Sequence, residues 1–134
     1  MAVNVRKRIR EHLCGLVDPV FNPGDVHPTR VIDAREGEPY AVVFFSNGEP
    51  EYTGFYKNNT AELAVGLYLP YNDYTDDDLD GFDGQVLEII EADPNIDLDG
   101  IVMDIQDAGF EYADPDDSPY IALFRKFSVR WEDQ

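Results

Sequence analysis

Cysteine, histidine and lysine are scarce in this 134-residue sequence. The one cysteine, Cys14, excludes an intrachain disulfide and gives secretion no support. With His12 and His27 as the two histidines, the clustered thiols and imidazoles of a zinc site are lacking as well. Long apolar runs are also missing. None approaches the roughly 20 residues of a membrane helix, and the basic stretch Met1 to Arg10 is not followed by the apolar core of a signal peptide. The expectation is a soluble chain with no membrane partner.

Positive charge is short too. Asp and Glu total 28 against 10 Lys and Arg, a formal net charge of −18, and Lys7, Lys57 and Lys126 are the three lysines. Affinity for polyanions comes from Lys and Arg, so direct nucleic-acid binding is not expected. Self-repulsion at this charge weakens a fold in dilute buffer. At about 1 M salt the screening length falls to about 3 Å, from about 8 Å at physiological ionic strength. Few lysines, with Asp outnumbering Glu, suit a salt-rich interior such as that of haloarchaea or their viruses. The expected result is a melting temperature that climbs steeply as KCl rises from about 0.1 M to about 3 M. Calorimetry across that series checks it, and a flat response removes the halophile argument.

What remains is globular: 43% hydrophobic and 13% aromatic residues, in a length that suits one domain over 1–134. Val5, Ile9, His12, Leu13 and Leu16 recur at helical spacing while Arg6, Lys7 and Arg10 turn away, which predicts an amphipathic helix over 3–16, ended by Asp18-Pro19. Residues 18–29, with Pro19, Pro23, Gly24 and Pro28, read as an irregular connection, and Val31 to Ala34 as a short strand. The apolar run Tyr40 to Phe45 is expected to be a strand covered on both faces or lying in an oligomer interface. Asn47-Gly48 and Asn58-Asn59 are turn signals, with Glu51 to Lys57 between them either a returning strand or an exposed loop. Ala61, Leu63, Val65, Leu67 and Leu69 alternate as a strand closed by Pro70.

Thr75 and Asp78 form a capping box, and Asp76 to Asp78 complement the positive end of a helix over about 75–92 with the stripe Leu79, Phe82, Val86, Leu87 and Ile90. Asp83 falls on that apolar side. Leu98, Ile101, Val102 and Ile105 predict a third helix with Gly109 after it. Phe110 to Tyr112 start a short strand, a polar turn runs to Pro119, and Tyr120 to Trp131 form the last strand. Ile121, Leu123, Phe127, Val129 and Trp131 share one parity of that strand, interrupted by Arg125. The expected fold class is α+β: a mixed, mainly antiparallel sheet with an N-terminal helix and two further helices packed on it.

No catalytic site emerges. Asp76, Asp78, Asp80 and Gly81 match the start of a calcium loop, as do Asn95, Asp97, Asp99 and Gly100, but Leu87 and Gln106 stand where the bidentate Glu belongs. Solvated acid at helix starts accounts for both. Neither histidine is spaced to serve Cys14 or a serine as a base, and no phosphate loop or dinucleotide fingerprint occurs. No cofactor, no metal and no enzymatic activity are expected. The charge clusters say more. Arg6, Lys7, Arg8 and Arg10 lie in the first helix and Arg125, Lys126 and Arg130 in the last strand, while acids gather at 73–83, 93–107 and 114–117. Such polarity suits head-to-tail assembly of copies, or else pairing of those bases with carboxylates inside one subunit.

The order of features resembles the tail terminator proteins of long-tailed phages, the lambda-type gene product U family. The likeness covers nearly the whole chain. It runs from an N-terminal helix to Pro39-Tyr40-Ala41-Val42-Val43, then Glu51-Tyr52-Thr53-Gly54, then the alternating strand ending Leu67-Tyr68-Leu69-Pro70. The acidic helix start Asp77-Asp78-Leu79-Asp80 follows, then Gly109-Phe110-Glu111-Tyr112, an Asp-rich turn and a final alternating strand. The resemblance implies a mixed sheet bearing helices and a structural virion protein at the tail–neck junction. Such a protein forms a hexameric ring that caps the tail tube, stops polymerisation of the major tail tube protein and meets the head–tail connector. Its partners are copies of itself, the tube protein and the connector. The chain departs from the family in its acidity and in segment 18–29.

The candidate interface residues are Arg6, Lys7, Arg10, Arg125 and Arg130 for their charge. Tyr52, Phe55, Tyr56 and Lys57 join them as an aromatic tip for gripping a neighbour. Three rival expectations remain open: another head–tail joining protein of the neck, an acidic decoy that imitates DNA, and a small regulatory enzyme or ligand-binding domain for which no site can be named.

Overall fold

The computed structural model describes residues 5–21, 26–28, 38–53, 56–94, 96–98, 100, 102–113 and 119–132, with the backbone alone for 49–53, 56–58 and 132. The element order is α1 (Val5–Val17), a 3-10 turn (Asp18–Val20), β1 (Val26–His27), β2 (Tyr40–Thr53), β3 (Tyr56–Pro70), α2 (Asp76–Glu91), β4 (Val102–Ala113) and β5 (Tyr120–Glu132). The five strands make one sheet in the order β1-β2-β3-β5-β4, parallel between β1 and β2 and antiparallel elsewhere. Both helices lie on one side of it. α1 packs on β1 and β2, and α2 on β3 and β5.

Period-two alternation decides what meets the helices. Ala41, Val43 and Phe45 of β2, Ala61, Leu63, Val65, Leu67 and Leu69 of β3, and Leu123, Phe127, Val129 and Trp131 of β5 join Ile9, Leu13 and Val17 of α1 and Leu79, Val86 and Ile90 of α2 in one core. The opposite parity carries a second apolar layer that no described helix covers. There Tyr40 stacks on Tyr68 at 4.6 Å between ring centres, and Phe124 meets Phe44 and Tyr68 edge-on at 6.1 and 5.8 Å. Val42, Ala64 and Ala122 on this parity are buried. Gly66 makes room for the layer, since a Cβ there would lie 2.8 Å from Phe124 Cε1. The continuous apolar run Tyr40 to Phe45 follows from a strand that feeds both layers.

The expected fold class is corrected: the described residues contain two α-helices, and the third one predicted around Leu98 to Ile105 is strand β4. The step of three from Val102 to Ile105 mimics a helix because β4 carries a bulge between Val102 and Asp104; a second follows between Asp107 and Gly109, and Leu98 lies in the turn before the strand. On the helix side of β5, Trp131, Val129, Phe127, Arg125 and Leu123 are matched by Val102, Ile105, Asp107, Phe110 and Tyr112. Each bulge puts one extra residue into the strand, so steps of three alternate with steps of two. Leu98 at φ 51 and Gly100 at φ 90 turn the chain before β4, and the Val102 N–H donates to the Asp97 carbonyl at 2.8 Å.

The turn expected at Asn47-Gly48 is also absorbed. β2 passes through it with a bulge between Phe45 and Asn47 and stays paired with β3 down to Thr53↔Tyr56. Asn58-Asn59 lies inside β3, and residues 54–55, between the two strands, lie outside the described residues. The strand expected at Val31 to Ala34 and most of the polar turn at 114–118 lie outside them as well.

Candidate functional site

α1 presents its bases outward because its apolar residues face the core. Ile9, Leu13 and Val17 are buried, Arg6, Lys7 and Arg8 are exposed, and Arg10 lies between. Lys7 Nζ reaches Glu11 at 3.9 Å, a weak exposed pair. Among the described residues neither Arg6 nor Arg8 forms an ion pair. His12 Nε2 meets Asp93 Oδ2 at 2.6 Å, which ties the middle of α1 to the end of α2. Further on, Phe21 stacks on Phe82 in the first half of α2 at 5.2 Å. The two helices therefore run in opposite senses, and the basic first turns of α1 lie beyond the C-terminal end of α2.

Cys14 is half-buried on α1. Burial, then the neighbouring Asp18 and Glu11 charges, push its thiol up to about 12. Only the thiolate is nucleophilic, so alkylation by iodoacetamide at pH 8 is expected to run far slower than with an unfolded peptide of the same sequence. Mass spectrometry over a time course measures it; labelling at the peptide rate would contradict this packing of α1.

Acid collects at the other end of the helix layer. Asp76, Asp77, Asp78 and Asp80 are exposed on the first turns of α2. The Thr75 N–H donates to Asp78 Oδ2 at 2.8 Å, so the capping box is formed and fixes where the helix begins. The segment that matched a calcium loop at Asp76 to Gly81 is helical. Next to it stand Phe110 and Tyr112 of β4, 54% and 46% exposed, with ring centres 5.5 Å apart. The Tyr112 hydroxyl donates to Asp80, and that hydrogen bond holds its phenol up at about 12. Neither aromatic stood out in the sequence. The three-two step of a bulged strand is the signal that places both on the side of the helices.

The two residues that broke apolar rows meet each other. Arg125 Nε donates to Asp83 Oδ1 at 2.9 Å, Nη2 donates to Asp83 Oδ2, and Nη1 donates to Asp107 Oδ1 at 2.9 Å. Both Arg125 and Asp83 are 7% exposed. The two carboxylates, Asp83 first, hold the guanidinium firmly charged. Its carbon lies 5.3 Å from the centre of the Phe110 ring.

Asp107 is held below the ordinary carboxylate range, first by the Gly109 N–H at 2.9 Å and then by Arg125. A depressed folded-state value means that its stabilisation is complete above its usual 3.8 and is lost as pH falls below that through the folded value. Denaturant titrations should therefore show wild type above Asp107→Asn at pH 5, with the gap narrowing as pH falls below 3.8. A gap that does not change with pH below that point would remove titration of this carboxylate as its source.

Of the other candidates, Arg130 sits on the helix-free parity of β5, in register with Thr60 and Asp104. Lys126, on the same parity, pairs with Glu111 at 2.9 Å. Tyr52, Tyr56 and Lys57 lie at the end of the β2–β3 hairpin, with Tyr52↔Lys57 and Thr53↔Tyr56 in register. Phe55 lies outside the described residues. The candidates therefore fall in separate places: the outer face of α1, the hairpin end, the interior at Arg125 and the far face of β5. Among the described residues no group of three His, Cys, Asp or Glu side chains has metal-site geometry. None of the described helices is long and apolar enough to cross a membrane.

No family model and no curated protein matches the chain. Among solved structures it is similar to a chain from the virion of a native gene transfer agent particle. That alignment covers 98% of this chain and 92% of that one, with a TM-score of 0.48 and 10% identity. A likeness at this level carries neither fold nor role from one chain to the other.

Proposed function

We propose that this chain is a structural virion protein, a tail terminator whose copies close into a ring on the end of the tail tube. There it stops addition of tube subunits and offers its outer surface to the head–neck connector. The order of features along the sequence supports the family. The observation that carries the reading is the polarity of one subunit: Arg6 and Arg8 at one end of the helix layer and Asp76 and Asp77 at the other are exposed and form no ion pair among the described residues. Two different surfaces of opposite sign on one chain make a heterologous contact, and a repeated heterologous contact with the right rotation closes a ring. The hairpin end at Tyr52 to Lys57 is the candidate for gripping a neighbour in the assembly.

The test is light scattering and negative-stain microscopy in high salt, on the chain alone and with tail-tube subunits. Rings of six are expected, with tubes that stop growing once one end is capped. A monomer that leaves tube growth unchanged would overturn the reading. If that monomer inhibited a DNA-binding enzyme, the decoy would take its place.

A further inference from the structure

The helix layer stops short of the sheet. With α1 over β1 and β2 and α2 over β3 and β5, neither helix covers β4 to a similar extent. Phe110 and Tyr112 are left standing open on the helix side, in register with Arg125 and Leu123. Asp80 bonds to Tyr112, Asp76 stands one turn before it on the same face of α2, and Asp77 is exposed beside them on the first turn. An aromatic floor with a carboxylate rim, level with the helix layer, is shaped and charged for a basic helix.

We propose that this notch receives α1 of a second copy of the chain, with Arg6 and Arg8 facing Asp76 and Asp77 and their stems lying on Phe110 and Tyr112. Arginine is suited to that floor because it stacks on aromatic faces while its charge meets carboxylates. Arg125 already approaches the Phe110 ring from within the chain. A subunit does not fill its own notch. The His12–Asp93 contact sets the first turns of α1 beyond the far end of α2, and the 16 residues of α2 span about 24 Å. Strand addition at the β4 edge is disfavoured by its two bulges and by Asp104, Asp107 and Glu111 along it, so the contact is made through side chains above the edge. This inference rests on the ring reading and names the junction that would close the ring.

Two charge-reversed variants test it by light scattering, at the lowest salt that keeps wild type folded. One carries Arg6→Glu and Arg8→Glu. The other carries Asp76→Lys and Asp77→Lys and leaves the capping residues Thr75 and Asp78 intact. Each alone brings like charges together at every junction and is expected to lose the ring. An equimolar mixture restores opposite charges at every junction and is expected to regain it, with the variants alternating. Phe110→Ala is expected to weaken self-association about tenfold or more, including in high salt where charge is screened. Melting curves establish that each variant is folded.

Rings that persist in either reversed variant, or that the mixture does not regain, would overturn this junction and leave the terminator reading standing. Wild type that forms no ring, alone or on tubes, would overturn the terminator reading and this junction with it.

Discussion

Arg125→Met is expected to lower the stability of the folded chain by about 3–5 kcal/mol, the range seen when one partner of a buried ion pair is removed. The loss comes less from the missing attraction than from what stays behind. Asp83 is buried on the apolar side of α2 between Leu79 and Val86, so without Arg125 its carboxylate is left among apolar side chains with little water. Asp107 loses its guanidinium partner too, but it is exposed enough for solvent to replace it.

The double variant Asp83→Leu with Arg125→Met separates these terms. It removes both charges and fills the site with apolar volume, so it should regain most of the loss or surpass wild type. Denaturant titrations on wild type, both singles and the double supply the cycle. A loss under about 1 kcal/mol in Arg125→Met would mean that water reaches Asp83 and that the pair is not buried in solution.

That pair also marks how far the sequence could be read. A helix with one acid on its apolar stripe and a strand with one arginine in its apolar row are two anomalies of opposite sign. Read separately, Asp83 is a charge on the apolar side of a helix and Arg125 an interface candidate that interrupts a strand. Read together, they say that the helix lies across that strand. Strand β3, β5 apart from Arg125, α1, and α2 apart from Asp83 were legible because one face of each is buried in the shared core.

Bulges were the main obstacle. In β4 a bulge gave the step from Val102 to Ile105 the spacing of a helix, and in β2 a bulge carried the strand through a turn signal at Asn47-Gly48. A bulge is settled by pairing with another strand, which a local pattern does not contain. The candidate surfaces divided the same way. The basic face of α1 follows from helical period alone, whereas Phe110 and Tyr112 reach the acidic end of α2 only through the shifted register of β4.

Phe127→Ala is the other large effect expected, again about 3–5 kcal/mol, from lost transfer free energy plus the cavity left behind. Phe127 is 1% exposed in the middle of β5, between Leu63 of β3 and Asp107 of β4. The ring lies under α2, with Ile90, Ile96 and Ile105 lining the hollow beside it. Strands on both sides hold the backbone, so the site has little freedom to collapse around an alanine.

Phe124→Ala, three residues earlier and on the opposite parity, provides the contrast. In a free subunit its ring leans on Phe44 and Tyr68 with no described helix above it, and the expected loss is about 1–2 kcal/mol. The difference measures how well the helix-free face is covered. Losses of equal size in dilute monomer would mean that the aromatic layer is buried as deeply as the core. Equal losses only where rings form would place that layer inside the assembly, because truncation costs the full burial term only where water is excluded.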